Sequence, residues 1–157
     1  MADLDEIDLE LLTLLQRDAR RTLRELGSTV SLSPSAVHRR IARYHLRGVI
    51  AREVAVLDPD AVGGCLLAVV LVTLEAESKQ EHASLRARLS ASPEVQQCYD
   101  VAGEWDYVVV LVARDMLHCR EVVDRLFLEE PSIERLATLP VFDSVKLGLE
   151  LPIRCGA

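Results

Sequence analysis

Five arginines, Arg39, Arg40, Arg43, Arg47 and Arg52, fall in the stretch SPSAVHRRIARYHLRGVIAR from Ser33 to Arg52, which contains no carboxylate. The whole chain has a formal net charge of -7, so this window runs against the trend. A guanidinium can neutralise a phosphate and release its counterions, or fork onto the edge of a guanine. A carboxylate on the same surface would repel the phosphate backbone. The chemistry that fits is recognition of double-stranded DNA.

A second group is the acidic stretch VAGEWDY, in which Glu104 and Asp106 flank Trp105 just after Gly103. Its plainest reading is a β-turn with solvated acids. The chain offers no catalytic or metal constellation: His38, His45, His82 and His118 are dispersed, His118 and Cys119 lack ligand spacing, and no phosphate-binding G-x-x-x-x-G-K occurs. No cofactor is implied, and the chain reads as a non-enzyme.

The elements that must carry these groups follow from the apolar pattern. In LDEIDLELLTLLQRDAR, Leu4, Ile7, Leu11, Leu14 and Leu15 recur at helical spacing, with acids in the first turn where they complement the helix dipole. Thr22 and Glu25 form a capping box for a short second helix with Leu23, Leu26 and Val30 on its apolar face. Ser33 can cap and Pro34 can open a third helix that runs to about Arg47 before Gly48. On it Val37, Ile41 and Tyr44 face inward, which turns Ser35, Arg39, Ala42 and Arg43 outward, with His38 and Arg40 on the flanks. A charge run is commonly just a solvated helix face. Here cap, turn, inward stripe and acid-free outer face agree on a helix-turn-helix with its second helix in the major groove. Arg39 and Ser35 are assigned to bases and Ser33, Arg40, Arg43 and Arg47 to phosphates. His38 either contacts DNA or fills the groove edge. Leu46 points outward with nothing to cover it.

Charge divides the chain. Residues 1–52 hold nine arginines and seven acids, whereas residues 53–157 hold nine basic and eighteen acidic residues. This suggests a DNA-binding domain at 1–52, a linker strand at 53–64 and a second domain at 65–157. In the last, CLLAVVLVTLE, EVQQCYDVAG, WDYVVVLVA, IERLATLPVF and SVKLGLEL read as strands, with helices at EHASLRARLSA and DMLHCREVVDRLFLE. The order is α+β and ferredoxin-like, βαββαβ with an extra strand. Leu66–Val72 and Val108–Val112 are almost continuously apolar, so both sheet faces need burial. Two helices cover one face, and a second subunit is expected on the other. Cys65, Cys98, Cys119 and Cys155 are far apart and read as buried inert thiols in a reducing cytoplasm. The acidic N-terminus shows no targeting signal, and no run of about 20 apolar residues could span a bilayer.

These stretches resemble the Lrp/AsnC family of feast/famine regulatory proteins. The likeness rests on LDEIDLELLTLLQRDAR, LSPSAVHRRIARYHLRGVI, LDPDAVG, PEVQQCYDVAGEWDYVV and SVKLGLELPI, in that order. It implies a winged helix-turn-helix joined to a βαββαβ ligand-sensing domain, assembled as homodimers and often octamers. It also implies an amino-acid effector at the Gly-x-x-Asp loop between dimers. That points to Gly103 and Asp106, with Ala102, Glu104 and Trp105 alongside, and to Thr138 on a later strand. Tyr99 either borders this pocket or is a core aromatic. The family often has glycine where this chain has Ser31, and alanine where it has Gly27, a change expected to weaken the second helix by about 1 kcal/mol. The resulting expectation is a transcription regulator responsive to a small amino acid. The alternatives are an architectural DNA-wrapping protein without effector control and a metabolite-binding enzyme.

Overall fold

The computed structural model describes residues 4–75, 78–128 and 132–153. The chain forms two compact units. One comprises the N-terminal residues through Val56 together with the segment from Lys146 onward, and the other spans Leu57–Val145.

The first unit is built on α1 (Glu6–Arg17), α2 (Leu23–Val30) and α3 (Pro34–Leu46). Both α1 and α2 begin with reciprocal capping boxes, Asp5 with Asp8 and Thr22 with Glu25. Leu11, Leu12, Leu26, Val30, Val37 and Tyr44 are buried together, with Ile7, Leu14, Leu15 and Ile41 packed around them. Ser31 ends α2 in the left-handed region at φ 57°, and the following Leu32 N–H donates to the Gly27 carbonyl at 2.9 Å. A Cβ on Gly27 would lie 2.5 Å from the Leu32 carbonyl oxygen. Gly27 is therefore the contact that lets the α2–α3 turn close, which corrects its reading as a mere loss of helix propensity.

The segment from Lys146 does not form the strand expected of SVKLGLEL. It lies along α1 instead: the Gln16 side chain exchanges two hydrogen bonds with the backbone of Leu151, and Arg17 pairs with Glu150 at 3.1 Å. Residues 51–58 likewise form no strand, leaving Val54, Val56 and Leu57 exposed. Neither stretch finds a neighbouring strand among the described residues, and an extended segment without one has nowhere to place its ladder hydrogen bonds.

The second unit is an antiparallel sheet of β1 (Leu66–Leu74), β2 (Val95–Asp100), β3 (Tyr107–Ala113) and β4 (Ile133–Pro140), in the order β2-β3-β1-β4. Helices α4 (Lys79–Ala91) and α5 (Met116–Val123) complete the ferredoxin-like order, and a π-helical turn extends α5 over Asp124–Leu128. Alternation along β1 and β3 sends Ala68, Val70, Val72, Tyr107, Val109 and Leu111 into a core with Leu85, Leu89, Val122 and Phe127 from the helices. The alternate residues, including Val69, Leu71, Val108 and Val110, lie on the opposite face, which no described helix of this unit covers. Within one chain the continuous apolar runs thus have one covered face and one open face, and the burial that their pattern requires is met on the first face alone. The hydroxyl of buried Tyr107 is satisfied by Arg86 Nε at 3.0 Å and His82 Nδ1 at 2.6 Å. Of the described cysteines only Cys119 fits the buried-thiol expectation; Cys65, before β1, and Cys98, on the edge strand β2, are exposed, and Cys155 lies outside the described residues.

Candidate nucleic-acid interface and effector loop

The start of α3 is fixed by its sequence. Ser33 Oγ accepts from the Ala36 N–H at 3.3 Å and lies 3.1 Å from Ser35 Oγ, and Pro34 occupies the first turn. This end of the helix carries the positive pole of the dipole, a suitable seat for a phosphate. Ser33, Ser35, His38, Arg39, Ala42 and Arg47 are all exposed. Arg39 and Arg47 make no ion pair among the described residues. Leu46, 88% exposed, continues the stripe of Ser35, Arg39 and Ala42, so no described residue of this unit supplies the cover its outward position lacked.

Arg40 and Arg43 behave differently from the arginines beside them. Arg40 Nη1 donates to Asp8 Oδ1 at 2.5 Å and to Asp5 Oδ2 at 2.8 Å. Arg43 Nη2 donates to both carboxylate oxygens of Asp8, at 2.7 and 2.8 Å. The Tyr44 hydroxyl donates to Asp8 Oδ1 at 2.5 Å. The side chain of Asp8 is 1% exposed, against 22% for Arg40 and 37% for Arg43. Burial opposes its ionisation, but the Tyr44 hydroxyl, the Arg40 guanidinium and the Asp5 N–H hold its carboxyl below the usual carboxylate range. Tyr44 is pushed the other way, first by burial and then by the Asp8 carboxylate. The sequence assignment of Arg40 and Arg43 to phosphates did not include this internal anion. Nothing in the sequence marked Asp8 as their partner, because an acid in the first turn already has a sufficient role as a cap.

The acidic stretch forms the loop between β2 and β3. Gly103 adopts φ +154°, a conformation that side-chain-bearing residues rarely adopt. Asp106 is tied to β1 and to the loop itself: its N–H donates to Val72 O at 2.9 Å, its carbonyl accepts from Val101 N–H at 2.9 Å, and its Oδ2 accepts from Leu74 N–H at 2.8 Å. Ala102, Gly103 and Glu104 are exposed, while Trp105 and Asp106 are partly covered. Arg135 pairs with Glu104 at 2.8 Å and lays its guanidinium 4.2 Å from the centre of the Trp105 ring.

Of the residues assigned to the effector, the structure brings together Ala102–Asp106, with Tyr99 near the end of β2 just before this loop and Thr138 on β4. Thr138 stands opposite Val70 in the register, three residues from Arg135 and on the other face of β4. Tyr99 stands opposite Val108 on the open face, 49% exposed, so it is not a core aromatic. Arg135 was missed. The antiparallel order that sets the start of β4 beside the end of β1 is the signal that points to it.

Comparison with known proteins follows the same division. Residues 4–45 match the AsnC-type helix-turn-helix domain and residues 67–151 the Lrp/AsnC ligand binding domain. The chain is 34% identical over 151 residues to the HTH-type transcriptional regulator FL11 of Pyrococcus horikoshii, covering 96% of this chain and 97% of that protein. It is 31% identical over 152 residues to the leucine-responsive regulatory protein of Salmonella typhimurium, covering 97% and 93%. Among solved structures, a transcriptional regulator of Neisseria meningitidis in complex with L-methionine superposes with a TM-score of 0.87 at 29% identity, covering 95% of this chain and 96% of that one.

Proposed function

Since the chain belongs to the Lrp/AsnC family of transcriptional regulators, we propose that it docks α3 in the major groove of operator DNA and that a small amino acid at the β2–β3 loop tunes its assembly or DNA affinity. Its general role, a non-enzymatic regulator with a ligand-binding domain, is that of its family.

The observation that carries the DNA reading is the exposed, acid-free stripe of Ser35, His38, Arg39 and Ala42 on a helix whose N-terminus is open to a phosphate. Arg39 and Ser35 are placed at base edges, Ser33 and Arg47 at the backbone, and His38 at the groove edge. The open sheet face supports a homodimer, which would present two recognition helices to half-sites about one helical turn apart; a higher assembly such as an octamer is a further step of the same proposal. For the effector, a zwitterion needs an acceptor for its ammonium group and N–H donors for its carboxylate. The Asp106 carboxylate and the exposed backbone around Gly103 supply that chemistry, with Ala102, Glu104 and Trp105 alongside. The L-methionine bound by the Neisseria regulator supports the amino-acid class. Thr138 lies on the other face of β4 from Arg135, so a role for it requires a neighbouring subunit, whereas Tyr99, on the open face just before the loop, borders the site.

The test pairs operator binding with ligand binding. Arg39→Ala is expected to abolish discrimination between operator and unrelated DNA, and Arg47→Ala to weaken both about equally. A thermal-shift series over the twenty amino acids is expected to single out one or a few ligands. Unchanged operator affinity in both arginine variants would refute the docking, and no shift with any amino acid would refute the effector.

A further inference from the structure

The anion in the helix-turn-helix unit explains why the window from Ser33 to Arg52 is less basic in effect than in composition. Arg39, Arg47 and Arg52 make no ion pair among the described residues, whereas Arg40 and Arg43 converge on Asp8, with Asp5 closing the outer side of Arg40. The same guanidinium nitrogens that would reach a phosphate already donate to a carboxylate that water barely touches. We propose that Asp8, with Asp5, is a positioning residue that withholds Arg40 and Arg43 from the DNA backbone, leaving phosphate contact to the unpaired arginines. The proposal rests on the docking of α3 given above.

Two consequences follow for recognition. A phosphate contact raises affinity for every sequence alike, so withholding two arginines lowers binding to unrelated DNA and makes discrimination depend more on Arg39 and Ser35. Both arginines also tie α3 to the first turn of α1, because Asp5 and Asp8 are its cap and third residue. The orientation of the recognition helix is thereby set by the buried carboxylate before any DNA is met.

The wild-type chain provides the first test. Modification of arginines by phenylglyoxal, mapped by mass spectrometry, should consume Arg39 and Arg47 and spare Arg40 and Arg43. Adding duplex DNA should then protect Arg39 and Arg47 without changing the rates at Arg40 and Arg43. New protection at Arg40 or Arg43 on DNA binding would overturn the withholding. Bound DNA that protects neither Arg39 nor Arg47 would instead overturn the docking, and the withholding with it, by a different pattern. Asp8→Asn adds a second readout. In a variant that remains folded by circular dichroism, the plot of log affinity against log salt should steepen by about 0.9 for each arginine released. Adding Arg40→Gln and Arg43→Gln should remove that increment. A folded Asp8→Asn protein with an unchanged slope refutes the proposal, since a purely structural anion would alter stability and leave the slope alone. Should Asp8→Asn fail to fold, the wild-type footprint decides alone.

Discussion

The Tyr44 hydroxyl on α3 lies 2.5 Å from Asp8 Oδ1 on α1, with both side chains buried. It donates to an ionised group, a class of bond whose loss costs about 1.5–3 kcal/mol. Tyr44→Phe keeps the ring in the core and removes only that donor, so urea unfolding should show a loss of this order. The pH dependence has a definite sign. Because the folded carboxyl of Asp8 is held below its ordinary value, its contribution is complete above about pH 4 and disappears as pH falls through the depressed value. Tyr44→Phe raises the folded value, so the helix-turn-helix unit of the variant should unfold at a higher pH in an acid titration followed by circular dichroism. Equal acid midpoints for variant and wild type would show that the phenol does not hold the charge.

The α2–α3 turn supports a pair of opposed substitutions. Gly27→Ala gains helix propensity of about 1 kcal/mol, but its Cβ would meet the Leu32 carbonyl oxygen at 2.5 Å, and overpacking of this kind typically costs about 1–3 kcal/mol. The turn must shift, and a net lower melting temperature is expected. Ser31→Gly acts the other way: it relieves a side-chain-bearing residue at φ 57° and should stabilise by about 1 kcal/mol. If Gly27→Ala were the stabilising member of the pair, the packing of the turn against α2 would be misassigned.

These cases also show where sequence reasoning reaches and where it stops. Caps, helix stops and alternation are local signals, and Thr22 with Glu25, Ser33 with Pro34, and the runs of β1 and β3 all declare themselves within a few residues. The partnership of Asp8 with Arg40 and Arg43 spans more than thirty positions, and so does that of Arg135 with Glu104. Each of these side chains had an adequate local role, so nothing in the pattern required a distant partner. The strands expected within 53–64 and at 144–151 failed for the complementary reason. Their composition suits a strand, but pairing needs a neighbour that the described residues of one chain do not provide.

The open face of the sheet leads to an assembly prediction. Val110 lies on β3 opposite Val69 of β1, on the side away from α4 and α5. If a second copy covers this face, a carboxylate there enters an apolar interface without a partner, which is strongly unfavourable. Val110→Glu should then sediment as a 17.4 kDa monomer with its circular dichroism preserved, while the wild type sediments as a larger species. A variant that stays at the wild-type mass would mean that the copies meet through another surface.

Asp106 needs a more careful substitution than alanine. Its Oδ2 accepts from the Leu74 N–H at 2.8 Å, so Asp106→Ala would remove a structural bond together with any effector contact, and the two losses could not be separated. Asp106→Asn keeps an oxygen for Leu74 and removes the negative charge that an ammonium group requires. The neighbouring Trp105, the sole tryptophan of the chain, lies beneath the Arg135 guanidinium and reports on the loop by its fluorescence. In the wild type, titration with the amino acid found by thermal shift should change Trp105 emission with a saturating profile. In Asp106→Asn the starting spectrum should match the wild type and the ligand response should be lost, whereas Asp106→Ala should alter the starting spectrum as well. A full response in Asp106→Asn would remove the carboxylate from the effector site and leave it only its bond to β1.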